Sequence, residues 1–235
     1  MKRTQPLLRG SLLSALITAV SACAPAHMAI PRDVGAASDE IVISDRSGMS
    51  GMLADESFTM GPYKIVSVDR KHNSSSTTSV AGFSSGDAQG GYAFGFRATE
   101  GSYAGQCTSL LDEKSVGLLG GTFGQQNFKV LCECVGPGKA SLSMSSDTTS
   151  HYRGTVSAHG ASYVVEGIYT DEKGSSISRP LGYHLHGSNP VGAVEVLGKG
   201  RVWLSRALDT STRAETACLF AGLLLYQAPQ GKMDK

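Results

Sequence analysis

The sequence predicts a mainly β domain, an antiparallel barrel or sandwich holding one buried carboxy-terminal α-helix. Three observations carry this. Short apolar runs with alternating or β-branched residues, such as "YKIVSV" and "YAFGFRAT", recur along the chain and are divided by Gly- and Ser-rich joins. Strand and helix patterns do not alternate, which excludes a parallel βα architecture. Within the expected domain one segment, "ACLFAGLLLY" at Ala217–Tyr226, is apolar over helix length.

The elements follow in order. "IVISDRSGMSGML" supports a short edge strand, and Tyr63–Val68 a β-branched one. The stretch "KHNSSSTTSVAGFSSGDAQGG" is too polar for a core and predicts a long, mobile loop. Tyr92, Phe94 and Phe96 then alternate with Ala93, Gly95 and Arg97, the pattern of a half-buried strand. "SYAGQCTSLL", "NFKVLCECV" and "ASLSMSS" continue it, and "YRGTVSA" and "SYVVEGIYT" flank "HGA" as a hairpin. "LGYHLHG" and "GAVEVLGKGRVWLSR", the latter folded across "GKG", bring the expected total to nine or ten strands without an internal repeat.

Near the carboxyl end, Thr212 and Glu215 have capping-box spacing ahead of the apolar run. Ten apolar residues are too few to span a bilayer, which takes about 20. Their apolarity covers every side of the helix, so it must be enclosed, and Pro229 stops it. An enclosed terminal helix preceded by the hairpin "VGAVEVLGKGRVWL" resembles the tubby-like architecture. That resemblance implies a closed antiparallel barrel around the helix. Tubby proteins bind phosphoinositides through basic side chains, and none of those maps onto this chain.

At the amino terminus Lys2, Arg3 and Arg9 precede the charge-free run Ser11–Val20, the layout of a secretory signal. Val20-Ser21-Ala22-Cys23 resembles the bacterial lipobox. The resemblance implies cleavage after residue 22 and a lipid-bearing Cys23, with acyl chains such as palmitate holding the protein to a membrane. Ala24, not being aspartate, fits the outer membrane in that family's pattern, facing the periplasm or the cell surface. The plainer alternative is an ordinary secreted chain cut after Ala22 or Ala24. The expected organisation is a signal peptide (1–22), the lipidated cysteine with a flexible tether (23–40), and one β-rich domain (41–235).

Removing the signal takes away three basic residues and no acid, which turns the formal charge from +1 to −2. No basic patch points to nucleic acid. Cys107, Cys132, Cys134 and Cys218 remain as an even set in an exported chain, so disulfides are expected, including one from Cys107 to Cys132 or Cys134. Cys218 is then either the remaining partner or a buried thiol.

Candidate chemistry is sparse. "GFSSG" places Ser84 in a Gly-x-Ser-x-Gly pattern, but a nucleophile elbow needs a buried strand before it and a helix after it. "YHLHG" puts His184 and His186 on one strand face, opposite Leu181, Tyr183 and Leu185. Two imidazoles at that spacing can share a metal ion if a further ligand converges, from His151, His159, Glu166 or Glu195. The glycine clusters lack the lysine and helix of a phosphate loop, and no cofactor is expected. The sequence therefore favours a non-catalytic structural or binding domain of the cell envelope, with an envelope protein or a small ligand as partner. A hydrolase using Ser84, or a metal-binding protein using His184 and His186, is the alternative.

Overall fold

The structure is a computed structural model describing residues 26–46, 56–80, 83–118, 121–146 and 151–226, with the backbone alone described at 71–80, 83–89, 111–118 and 121–128. Its elements are α1 (Arg32–Ala37), β1 (Ser38–Ile41), β2 (Ile43–Ser44), β3 (Phe58–Met60), β4 (Tyr63–Val80), β5 (Phe83–Ala98), β6 (Gly101–Leu118), β7 (Gly121–Val135), β8 (Lys139–Ser146), β9 (Tyr152–Ala158), β10 (Ala161–Ile168), β11 (Gly182–His186), β12 (Pro190–Glu195), β13 (Arg201–Ser205) and α2 (Thr210–Leu225). The thirteen strands form one antiparallel sheet in the order β1-β13-β12 and then down through consecutive neighbours to β2. The two end strands are consecutive in the chain, so the sheet is a nearly closed barrel rather than two packed layers.

Among the described residues the strands number thirteen rather than the nine or ten expected, and the stretch from Lys71 to Gly91, expected as a mobile loop, is strand except at residues 81 and 82, which lie outside the described residues. Its serines and threonines pair along β4 and β5, from Ser74 opposite Gln89 to Val80 opposite Phe83. Polarity argues against a core but not against strand, because pairing with neighbours satisfies the backbone wherever side chains point. The hairpin read at "HGA" is present, turning on His159 and Gly160, both at positive φ (48° and 76°), as a two-residue primed turn requires.

The apolar helix α2 fills the barrel. From Ala214 to Leu225 every residue is buried. Inward residues of the wall, including Phe94, Phe96, Val130, Leu142, Val156, Tyr183, Val202 and Leu204, share one core with it. A fully buried Leu or Phe contributes about 1.5–3 kcal/mol, so the uniform apolarity of α2 is what makes the enclosed position favourable.

The helix ends are satisfied by specific groups. Asp209, not Thr212, is the N-cap: its carboxylate accepts from Thr212 N at 2.9 Å and from the Thr212 hydroxyl at 2.5 Å. The expected capping box of Thr212 and Glu215 therefore does not form, and the helix is capped one turn earlier. Glu215, its supposed second member, instead accepts from the backbone N–H of His159 at 2.5 Å. At the other end, the carbonyls of Gly222, Leu223, Leu224 and Leu225 accept from Tyr92 OH (2.6 Å), Tyr226 N (3.2 Å), Arg46 Nη2 (2.6 Å) and Arg70 Nη1 (3.0 Å). All four final carbonyls of a helix lack internal partners, and here each finds one.

Both cysteine pairs lie at bonding distance. Cys107 and Cys132 face each other across β6 and β7 with 2.06 Å between sulfurs, and Cys134 on β7 reaches Cys218 on α2 at 2.05 Å. The second link joins wall to helix. Gly222 leaves room for the first: a Cβ there would stand 2.8 Å from Cys107 Sγ and 3.4 Å from Cys132 Sγ.

The segment expected to be a flexible tether is docked from its described start. Ala29 N donates to Thr170 O at 2.9 Å, Glu172 N donates to His27 O at 3.0 Å, and Met28 and Val34 are buried against Leu181, Ala193 and Trp203. Residues 38–41 then enter the sheet as β1 beside β13. A sequence rich in small and polar residues reads as linker, yet two well-placed apolar anchors and backbone pairing suffice to hold it. The same contact moves Leu181 from the face of Tyr183 and Leu185 to the outer cluster, because Leu181 precedes β11.

Candidate functional site

Alternation along β11 turns Tyr183 and Leu185 into the barrel and leaves His184 and His186 half-buried on its outside. The two imidazoles lie 4.9 Å apart between ring centroids. Glu166 on β10 is the cross-strand partner of His184, and its Oε2 stands 3.5 Å from His186 Nε2 while its Oε1 pairs with Arg153 Nε at 3.1 Å. On the other side α1 brings Asp33 Oδ2 to 3.6 Å from His184 Nε2. A row results in which two imidazoles stand between two carboxylates, with a guanidinium at one end: Asp33, His184, His186, Glu166, Arg153.

Both Nε2 atoms are buried and make no hydrogen bond. Burial holds the His184 pKa below its ordinary value, and neighbouring His186 lowers it further, while Asp33 and Glu166 act in the opposite direction. Burial dominates, so His184 favours the neutral form. Among the described residues no three His, Cys, Asp or Glu side chains are arranged to hold a metal ion. His184 and His186 do meet, and Glu166 joins them as one of the anticipated partners.

The other anticipated partners go elsewhere. His151 packs edge-on against Tyr169 at 4.8 Å. His159 sits at the opposite rim, its ring 3.8 Å from Glu215. Glu195 is buried at the rim nearest the α2 C-terminus, where it accepts from His27 Nδ1 at 3.0 Å, from Met28 N at 3.1 Å and from Arg201 Nε. Asp33 had no signal in the sequence, since 151 positions separate it from His184. Only the docking of α1 brings them together.

Ser84 lies within β5, its backbone paired with Ser79 on one side and Ser115 on the other. Strand on both sides is not the strand-to-helix turn that a nucleophile elbow needs, so that pattern is coincidental here. No family model matches the chain, and neither a curated protein nor a solved structure matches it.

Elsewhere, a shallow open trough of about 380 Å³ crosses the outside of β6 to β10, lined by Thr108, Leu131, Glu133, Ser143, Thr155 and Ser157 among others. It holds hydroxyls and one exposed carboxylate, with no pairing of nucleophile and base. Among the described residues the candidate site is thus an imidazole–carboxylate row between α1 and the barrel wall, with His184 held towards its neutral form.

Proposed function

We propose that the chain is an exported, lipid-anchored protein of the bacterial cell envelope, attached through Cys23 and serving there as a non-catalytic structural or binding domain. The observation that carries this reading is the cysteine arrangement. Four of the five cysteines pair with one another, and Cys23, inside the lipobox-like Val20–Cys23, is the one left over. Two disulfides suit an oxidising compartment outside the cytoplasm. A single remaining thiol beside a signal-like leader suits covalent acylation, and several acyl chains hold a protein where one would not.

The non-catalytic part is supported by how the polar groups are used. The barrel interior is occupied by α2, and the buried Arg46 and half-buried Arg70 serve its carbonyls. The tubby-like resemblance belongs to this reading as a statement about architecture, without the phosphoinositide chemistry of that family.

Mass spectrometry of the mature protein from a bacterial host tests the anchor. The expected result is a chain starting at Cys23 with acyl mass added, converted by Cys23→Ser into an unprocessed, unacylated precursor. A free thiol at Cys23, or normal processing and acylation of the serine variant, would overturn it.

A further inference from the structure

The amino-terminal segment meets the barrel at one particular end. His27 and Met28 bind Glu195, which closes β12, and the following turn reaches α2 through Arg46, which bonds both Gly198 O (2.9 Å) and Leu224 O (2.6 Å). The chain therefore enters at the rim that holds the α2 C-terminus. Three residues lie between Cys23 and His27, and the four steps from one to the other reach about 14 Å at full extension.

The same rim carries an arm. Arg70 marks the level of Leu225, yet β4 continues ten residues further, to Val80. The distal parts of β5, β6 and β7 accompany it. β7 has β6 as its neighbour over residues 121–128, because its pairing with β8 begins only at Lys129. Ten strand residues extend about 33 Å. In the strand order this arm stands on the wall opposite β12.

The end of the arm has a distinctive register. Val80 pairs with Phe83, Phe83 with Val116 and Val116 with Phe123, so one transverse row crossing four strands is wholly apolar. No charged residue occurs between Asn73 and Gly86 or between Ser115 and Phe128. The next row towards the barrel is Ser79, Ser84, Ser115 and Gly124, and the one after it contains Lys114. An apolar, charge-free edge backed by hydroxyl-bearing rows matches the polarity gradient of a bilayer interface.

We infer that the apolar end of the β4–β7 arm enters the surface of the lipid bilayer that holds Cys23, giving the barrel a second, non-covalent membrane contact. This rests on the lipid-anchor reading above. The lengths support it: a tether of about 14 Å and an arm of about 33 Å leave the same rim, so a barrel held that close to a membrane brings the arm to it. Burying one apolar row is a weak contact alone and becomes effective when the anchor raises its local concentration.

The test uses the mature acylated protein in vesicles containing brominated phosphatidylcholine, with Trp203 retained as a constant background. The emission of Phe123→Trp, in the apolar row, should be quenched about two-fold or more beyond that of Ala161→Trp, at the far rim. Hydrogen exchange on the unsubstituted protein supplies a second readout: amides at 80, 83, 116 and 123 should be protected in vesicles relative to detergent-free soluble Cys23→Ser protein lacking residues 1–22.

Acylated protein with no extra quenching and no extra protection would overturn the inference while leaving the anchor intact. So would a blue-shifted Phe123→Trp emission that brominated lipid does not quench, because protein rather than lipid would then cover the row. An unacylated Cys23 by mass would remove both.

Discussion

Arg46 Nη2 donates to the Leu224 carbonyl at 2.6 Å, so the last turn of a helix sealed inside a barrel ends on a buried guanidinium. Burial holds the Arg46 pKa below its ordinary value, and Glu56 acts against that. Arg70, paired with Glu56 at 2.6 Å, performs the same service for Leu225. A cation at a helix C-terminus meets both the unpaired carbonyls and the negative end of the dipole.

Replacing Arg46 by Met should therefore destabilise the fold although it adds apolar bulk. Two hydrogen bonds from a charged donor are lost and the Leu224 carbonyl is left buried and unpaired, a cost of about 2–4 kcal/mol. Urea unfolding reads it as a lower midpoint at unchanged slope. A neutral result would mean that water replaces the guanidinium.

Gly222→Ala should also destabilise, contrary to helix propensity. Alanine favours a helix over glycine by about 1 kcal/mol, but here its Cβ would press on the Cys107–Cys132 pair. Overpacking costs about 1–3 kcal/mol. Combining it with Cys107→Ala and Cys132→Ala should relieve the conflict, giving a non-additive cycle. Strict additivity would sink the contact.

The two cysteine links should differ in worth. Chain entropy assigns about 4.5 kcal/mol to a closed loop of the Cys134–Cys218 separation, 84 residues, and about 3.5 kcal/mol to that of Cys107–Cys132, 25 residues. Paired alanine replacements, compared by denaturant midpoint under oxidising conditions, should show the larger loss at Cys134 and Cys218. Equal losses would refute the dependence on loop length.

Acid should weaken the fold through His184. Its folded pKa lies below the ordinary value near 6.5, with Asp33, His186 and Glu166 the ionisable groups facing it. Above pH 6.5 both folded and unfolded chains hold it neutral and nothing is lost. As pH falls below 6.5 the unfolded chain takes up the proton first, so stability drops until the folded pKa is passed. His184→Asn should flatten the fall between pH 7 and 5, and Asp33→Asn should steepen it. Identical profiles for all three proteins would refute the assignment.

What could be read from residues alone was whatever repeats locally. The alternation of Tyr92, Phe94 and Phe96, the hairpin at "HGA", and the apolarity of Ala217–Tyr226 each carry their structural consequence within a few positions. An all-round apolar helix among strands has to be enclosed, which is why a barrel with a central helix was legible. The helix start is ambiguous by one turn in the sequence because Asp209 and Thr212 both suit a cap, and only the fold directs Glu215 to His159.

Local residue pattern accounts for the strand-built class, the enclosed helix and an even set of cysteines in the body. The pairing of those cysteines, the thirteen-strand order of the described residues, the docking of residues 27–41 and the meeting of Asp33 with His184 come from the closed fold. Periodicity is a property of neighbours in the chain. Pairing, docking and ion contacts join positions tens to hundreds of residues apart, and they exist only once burial and backbone hydrogen bonding have closed the barrel.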